Sequence, residues 1–122
     1  MTALRQVAQR ATDLDASTAF YRDRVGLSVI ATFDPPGLVF LDAGGGLRLM
    51  LAANAPSATL YFTVDDVELA VEELRGAGVP VESEPHVIFR DDAGQFGPAG
   101  QEERMAFVRD PSGNLVGLVD RR

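Results

Sequence analysis

One histidine, eleven basic residues that are all arginine, and no cysteine set the limits on what this chain can do chemically. Without a thiol there is no disulfide, thiolate nucleophile or thiolate metal site. Without lysine there is no Schiff-base chemistry and no phosphate-cradling lysine. With His86 as the lone imidazole, a site built on two or more histidines cannot arise within one chain. His86 follows Pro85 at the entry to a strand. It reads either as a general base or donor to a ligand, or as a partly exposed histidine where a strand begins. No orienting carboxylate is identifiable beside it, which weighs toward the second reading. Asp91-Asp92 and Glu102-Glu103 flank a glycine-rich stretch. Carboxylates can hold calcium, but their irregular spacing fits a solvated loop better.

The 122 residues suit one compact chain, 46% hydrophobic and able to build a core. The net charge of −7 argues against nucleic acid and anionic membrane as partners, since both demand a basic footprint. No apolar run approaches the roughly 18–20 residues of a membrane span. Met1-Thr2-Ala3-Leu4-Arg5 does not lead into a long apolar segment, so a cytoplasmic location is the default expectation.

These residues are positioned by two similar runs of elements. Leu4 to Arg10 is expected as a strand, and Asp13 caps a helix from about Leu14 to Val25 that ends at Gly26. Strands over Leu27 to Phe33, Leu38 to Leu41 and Leu47 to Leu51 follow, separated by Asp34-Pro35-Pro36-Gly37 and Asp42-Ala43-Gly44-Gly45-Gly46. That glycine run joins two strands, so it is a hairpin turn and not a phosphate loop. Asn54-Ala55-Pro56-Ser57 breaks the pattern, and the order begins again. Thr59 to Val64 alternates as a strand, Asp65-Asp66 caps a second helix, and Gly76 and Gly78 end it. Strands are expected through His86 to Arg90, Arg104 to Val108 and Leu115 to Val119. Asp91 to Gln101 is a loop with the reach of a lid. Asp110-Pro111-Ser112-Gly113-Asn114 is turn chemistry closing the last hairpin.

Strand, Asp-capped helix and three strands thus occur twice, an internal repeat. The order resembles the vicinal oxygen chelate superfamily, the glyoxalase/bleomycin-resistance/dioxygenase fold. The resemblance is carried by Thr12-Asp13-Leu14-Asp15-Ala16-Ser17 with Phe20-Tyr21 and Gly26-Leu27, by Phe62-Thr63-Val64-Asp65-Asp66-Val67, by Gly76-Ala77-Gly78-Val79, and by Phe107 to Asn114. It implies an α+β fold: a single domain over 1–122, made of βαβββ modules at about 1–55 and 56–122. The modules would form a curved mixed sheet, an open barrel around a central cavity, in a protein that is commonly dimeric. Metal-using members draw ligands from four positions, which match Gln6, Met50, Thr59 and Gly117 here. Only Gln6 offers a usable oxygen. Hard cations want carboxylates, and zinc or iron wants imidazole, so the expected metal and cofactor content is none.

Strand alternation gives the face that would meet a ligand. Leu47, Leu49 and Leu51 should face the helix, leaving Arg48 and Met50 on the other side. Thr59 and Tyr61 should share that ligand-facing side, with Gln6 on the first strand and Gly117 leaving space on the last. The expected ligand-binding set is Gln6, Arg48, Met50, Thr59, Tyr61, His86, Phe107 and Gly117. Arg48 is either a surface residue or an anchor for a ligand carboxylate. Tyr61 is more often a packing residue than a catalytic acid. The expectation is a metal-independent, homodimeric binder of a small organic ligand, by analogy with antibiotic-sequestering relatives. The alternative is a glyoxalase-like lyase, isomerase or dioxygenase with a non-standard site.

Overall fold

A computed structural model describes residues 3–122; Met1 and Thr2, part of the N-terminal stretch read above, lie outside them. The chain forms two compact units. One comprises the chain up to Ala58 together with Asp110–Asn114, and the other comprises Thr59–Arg109 and Leu115–Arg122.

The first unit contains β1 (Gln6–Arg10), α1 (Leu14–Ala19), a π-helical turn (Phe20–Val25), β2 (Ser28–Phe33), β3 (Leu38–Asp42) and β4 (Arg48–Ala52). Its sheet has the order β1-β4-β3-β2, with β1 parallel to β4 and the other pairs antiparallel. Parallel pairing of β1 with β4 requires a long connection, which the helix and the β2–β3 hairpin supply. Asp13 caps α1 by accepting the Ala16 amide at 3.0 Å. Gly26 closes the helical segment at φ 95°, where a β-carbon would be strained. The core comprises Leu49 and Leu51 with Val39, Leu41, Phe20 and Tyr21.

One uninterrupted α-helix over 14–25 is the expectation that fails here. The π turn replaces its second half, and two adjacent aromatics, Phe20 and Tyr21, are both buried there. A π turn often marks a special site. Here it carries Tyr21 to a buried polar hub. The Tyr21 hydroxyl donates to Asp110 Oδ2 at 2.7 Å, and Gln9 Nε2 approaches that hydroxyl at 3.4 Å. Burial, with the Asp110 charge beside it, pushes the phenol's pKa upward. Gln9, fully buried, also donates to the Ala58 carbonyl and accepts the Ala58 amide.

The second unit contains β5 (Leu60–Thr63), α2 (Val67–Gly76), β6 (Val81–Asp91), β7 (Gln101–Arg109) and β8 (Leu115–Arg121). The order β5-β8-β7-β6 repeats the pattern of the first sheet, with β5 parallel to β8. Asp66 caps α2 through the Leu69 amide. Val67, Val71 and Leu74 pack the helix into a core with Ala106, Val108, Val116 and Leu118. Neither sheet closes, since each ends in two free edge strands. No helix among the described residues is long and apolar enough to cross a membrane.

Strands β6 and β7 run further than expected, which confines the loop between them to residues 92–100. That loop is pinned within its unit. Buried Asp91 accepts the Gln95 and Phe96 amides at 2.8 and 2.9 Å, and Arg121 donates to the same carboxylate at 3.0 Å. Arg121 also reaches Glu103 and the Pro98 carbonyl. The Phe96 amide first, then the Gln95 amide and Arg121, outweigh burial and hold the Asp91 carboxyl below its ordinary value of 3.8. A depressed folded value means the carboxylate's stabilisation is complete above the ordinary aspartate range. It is lost as pH falls through the lower folded value. Hydrogen-exchange protection at Gln95 and Phe96, corrected for intrinsic rates, should therefore persist through the ordinary aspartate range and collapse only at lower pH. Protection that is indifferent to acid would contradict this anchoring.

Candidate functional site

In the first unit, the face away from the helix is organised by Arg48. Arg48 on β4 lies opposite Gln6 of β1 and Asp42 of β3. Its Nε donates to Gln6 Oε1 at 2.7 Å, and its guanidinium carbon stands 5.7 Å from the centre of the Phe40 ring. The amide nitrogen of Gln6 points to Met50 Sδ at 3.7 Å. The Phe40 ring in turn meets Phe33 edge to face, with centroids 5.8 Å apart. Asp42, directly opposite Arg48, accepts the Gly44 amide at 2.8 Å and makes no ion pair with Arg48 among the described residues. Several arginines pair with carboxylates, as Arg121 does with Glu103 at 2.7 Å, whereas Arg48, like Arg5, Arg10 and Arg24, has no ion pair among the described residues.

Strand alternation therefore places Gln6, Arg48 and Met50 as expected, with the leucines behind them in the core. Phe40 and Phe33 complete this surface and were not singled out from sequence. Only the β2–β3–β4 register brings them beside Met50 and Arg48. A large aromatic two residues from a turn gave no indication of this by itself.

In the second unit the corresponding face carries Tyr61, Gly117 and Phe107 side by side across β5, β8 and β7. Gly117 was expected to leave open space, and it does not. A β-carbon there would lie 2.6 Å from Tyr61 Cδ1 and 3.1 Å from Phe107 Cε1. Tyr61 and Phe107 meet edge to face, 5.9 Å between centroids, and cover the glycine. The glycine is the bed on which the two rings lie. Tyr61 remains 57% exposed, so its outer surface stays available. Thr59 is exposed and precedes β5, one residue outside the strand expected to hold it.

His86 is exposed on β6, opposite Met105 of β7. Its Nδ1 lies 2.8 Å from the Glu84 carbonyl. A carbonyl can only accept, so Nδ1 carries the proton and Nε2 is the free position. No carboxylate orients the ring among the hydrogen bonds of the described residues. That arrangement fits a histidine tied to its own strand better than a base held for proton transfer.

The residues at the four metal-ligand positions do not fit a metal. The Gln6 oxygen is engaged by a cation already, Met50 offers only a soft thioether, Thr59 a weak hydroxyl, and Gly117 no side chain. A different acidic group, Asp66, Glu68 and Asp120, gathers at the start of α2. It is committed to the fold. Asp66 caps the helix, Asp120 Oδ2 accepts the Val67 amide, and Glu68 is paired with Arg104 and Arg122. A helix N-terminus favours anions over cations, and two guanidiniums further oppose metal entry.

Paired βαβββ units with this strand order define a two-module glyoxalase-type fold. The chain belongs to the Glyoxalase/Bleomycin resistance protein/Dioxygenase superfamily, whose sequence profile matches residues 3–118. Among solved structures, lactoylglutathione lyase from Agrobacterium tumefaciens is 31% identical, with 98% of this chain and 93% of that chain covered and a TM-score of 0.66. The trypanothione-dependent glyoxalase I of Leishmania major is 26% identical, covering 98% and 87% of the two chains with a TM-score of 0.68. An antibiotic binding protein from Streptomyces sp. CB03234 is 23% identical, covering 97% and 94% with a TM-score of 0.67, and shares the fold. No curated protein matches.

Proposed function

We propose that this protein binds a small organic ligand without a metal ion and holds it unaltered. The observation that carries the reading is the engagement of Gln6. Its oxygen accepts from the Arg48 guanidinium and its nitrogen faces Met50, so the donor best suited to a metal is already used. The fold shared with an antibiotic binding protein supports sequestration as the role. The polar anchor offered by the first unit is Arg48, with Gln6 positioning it and Met50 beside it. The second unit offers the exposed ring of Tyr61, supported by Phe107 and Gly117. His86 and Thr59 are exposed and remain secondary candidates for contact. Nucleic acid is not a partner on this reading, and the cytoplasm is its setting.

A lyase, isomerase or dioxygenase is the second reading, favoured by the 31% identity to a lactoylglutathione lyase. One experiment separates the two. Small molecules that co-purify with the native protein are released, identified by mass spectrometry and returned to fresh protein with and without divalent ions. Quantitative recovery of the unaltered compound under both conditions is expected. Turnover that depends on an added metal would overturn the proposal.

The edge strands suggest that the working form is a dimer. Val29 and Ile30 on β2, and Val87, Ile88 and Phe89 on β6, are exposed on strands that need cover. Sedimentation at micromolar concentration should give twice the 13.1 kDa chain mass. A stable monomer would contradict this.

A further inference from the structure

The surface around Arg48 has a composition that selects a ligand class. The guanidinium is anchored through Nε by Gln6, and its two terminal nitrogens make no hydrogen bond among the described residues. The nearest carboxylate in register, Asp42, is held by the Gly44 amide, so the charge is not neutralised by its strand neighbour. This occurs in a chain of net charge −7, where arginines such as Arg75, Arg90 and Arg121 are paired with carboxylates. Beside the charge lies an aromatic shelf. Phe40 is within cation–π range of the guanidinium, Met50 is its partner on β4, and Phe33 packs on its edge while 51% exposed. A fixed planar fork next to an uncovered apolar shelf matches a flat molecule with an oxyanion at one end.

We propose that the ligand of this protein is an aromatic carboxylate, or a compound with an equivalent planar oxyanion, held by the terminal nitrogens of Arg48 with its ring system against Phe40, Met50 and Phe33. The proposal rests on the metal-free binding reading above and narrows it to a charge and a shape. Gln6 is a positioning residue: it accepts from Nε and leaves both terminal nitrogens for the ligand. Arg48 supplies the positive charge directly, at the place where the Gln6 oxygen would otherwise be free for a cation.

The test uses the full chain and three probes of one shape: naphthoate, neutral naphthamide and cationic naphthylmethylammonium, each with and without a chelator. Naphthoate is expected to bind at least about tenfold more tightly than the amide, because the charge-assisted bidentate contact is lost in the latter. It should shift the Arg48 Nε–H and Phe40 resonances, and the chelator should change nothing. Arg48→Met should remove the preference for the anion, and Arg48→Lys, which keeps the charge without the fork, should retain only part of it. Gln6→Leu should weaken naphthoate binding more than naphthamide binding, narrowing the preference for the anion. Equal binding of naphthoate and naphthamide, or full anion preference in Arg48→Met, overturns this inference while leaving metal-free binding intact. No binding of any probe at millimolar concentration also overturns it. Anion-selective binding abolished by the chelator overturns both this inference and the metal-free reading.

Discussion

Asp110→Ala should destabilise the protein by about 3–5 kcal/mol, because several buried donors lose their acceptor at once. Asp110 is 4% exposed. Its Oδ1 accepts the Ser112 and Asn114 amides, and its Oδ2 accepts the Tyr21 hydroxyl and the Asn114 side-chain amide. Asn114 in turn donates to the Arg10 carbonyl at 2.7 Å and accepts from Ser57. The turn is thereby bound to β1 and to the π turn of the first unit. Water cannot replace an acceptor this deep without opening the structure. Asp110→Asn preserves the shape but forfeits acceptor capacity and should show an intermediate loss. Urea unfolding monitored by circular dichroism gives both values. A loss below about 1 kcal/mol for Asp110→Ala would show the hub to be dispensable.

Gly117→Ala should cost about 1–3 kcal/mol through overpacking, although it adds a single methyl group. The new β-carbon would enter the 2.6 Å gap to Tyr61 Cδ1 and press on Phe107. Tyr61 is the half-exposed member of the pair and is the ring that must swing out. Removing it should relieve the strain. In a double-mutant cycle, Gly117→Ala with Tyr61→Ala should be more stable than the sum of the single changes by about 1 kcal/mol or more. Gly117→Glu should disrupt the same rings instead of filling a void. Strict additivity would contradict the account of Gly117 as the bed of the aromatic pair.

The features legible in the sequence are those encoded locally. Asp13 and Asp66 before apolar periodic runs announce two helices, and each does cap its helix. Leucines alternating with Arg48 and Met50 separate the faces of β4 without reference to any other strand. The positions that were misread depend on partners far away in the chain. Gly117 looks like empty space until β5 and β7 bring Tyr61 and Phe107 over it. The π turn has no signature of its own; its burial of adjacent aromatics acquires meaning through the contact of Tyr21 with Asp110, distant in sequence. Asp110 to Asn114 satisfies every rule for an exposed turn, and its buried role follows from contacts to Arg10, Thr12, Ser17, Tyr21 and Ser57. Phe40 and Phe33 join Arg48 only through register. His86, the most conspicuous residue by chemistry, is the one that the fold leaves on an edge strand, bonded to a neighbouring carbonyl.

The central claim is that a guanidinium, and not a metal ion, supplies the positive charge at Gln6. Its most direct test is the metal content of the purified protein after exposure to zinc, nickel, manganese and iron followed by dialysis, measured by inductively coupled plasma mass spectrometry. The account predicts less than about a tenth of an equivalent of any of them per chain, because Gln6, Met50, Thr59 and Gly117 make no competent donor set. One tightly held equivalent per chain that disappears in Gln6→Ala would contradict it.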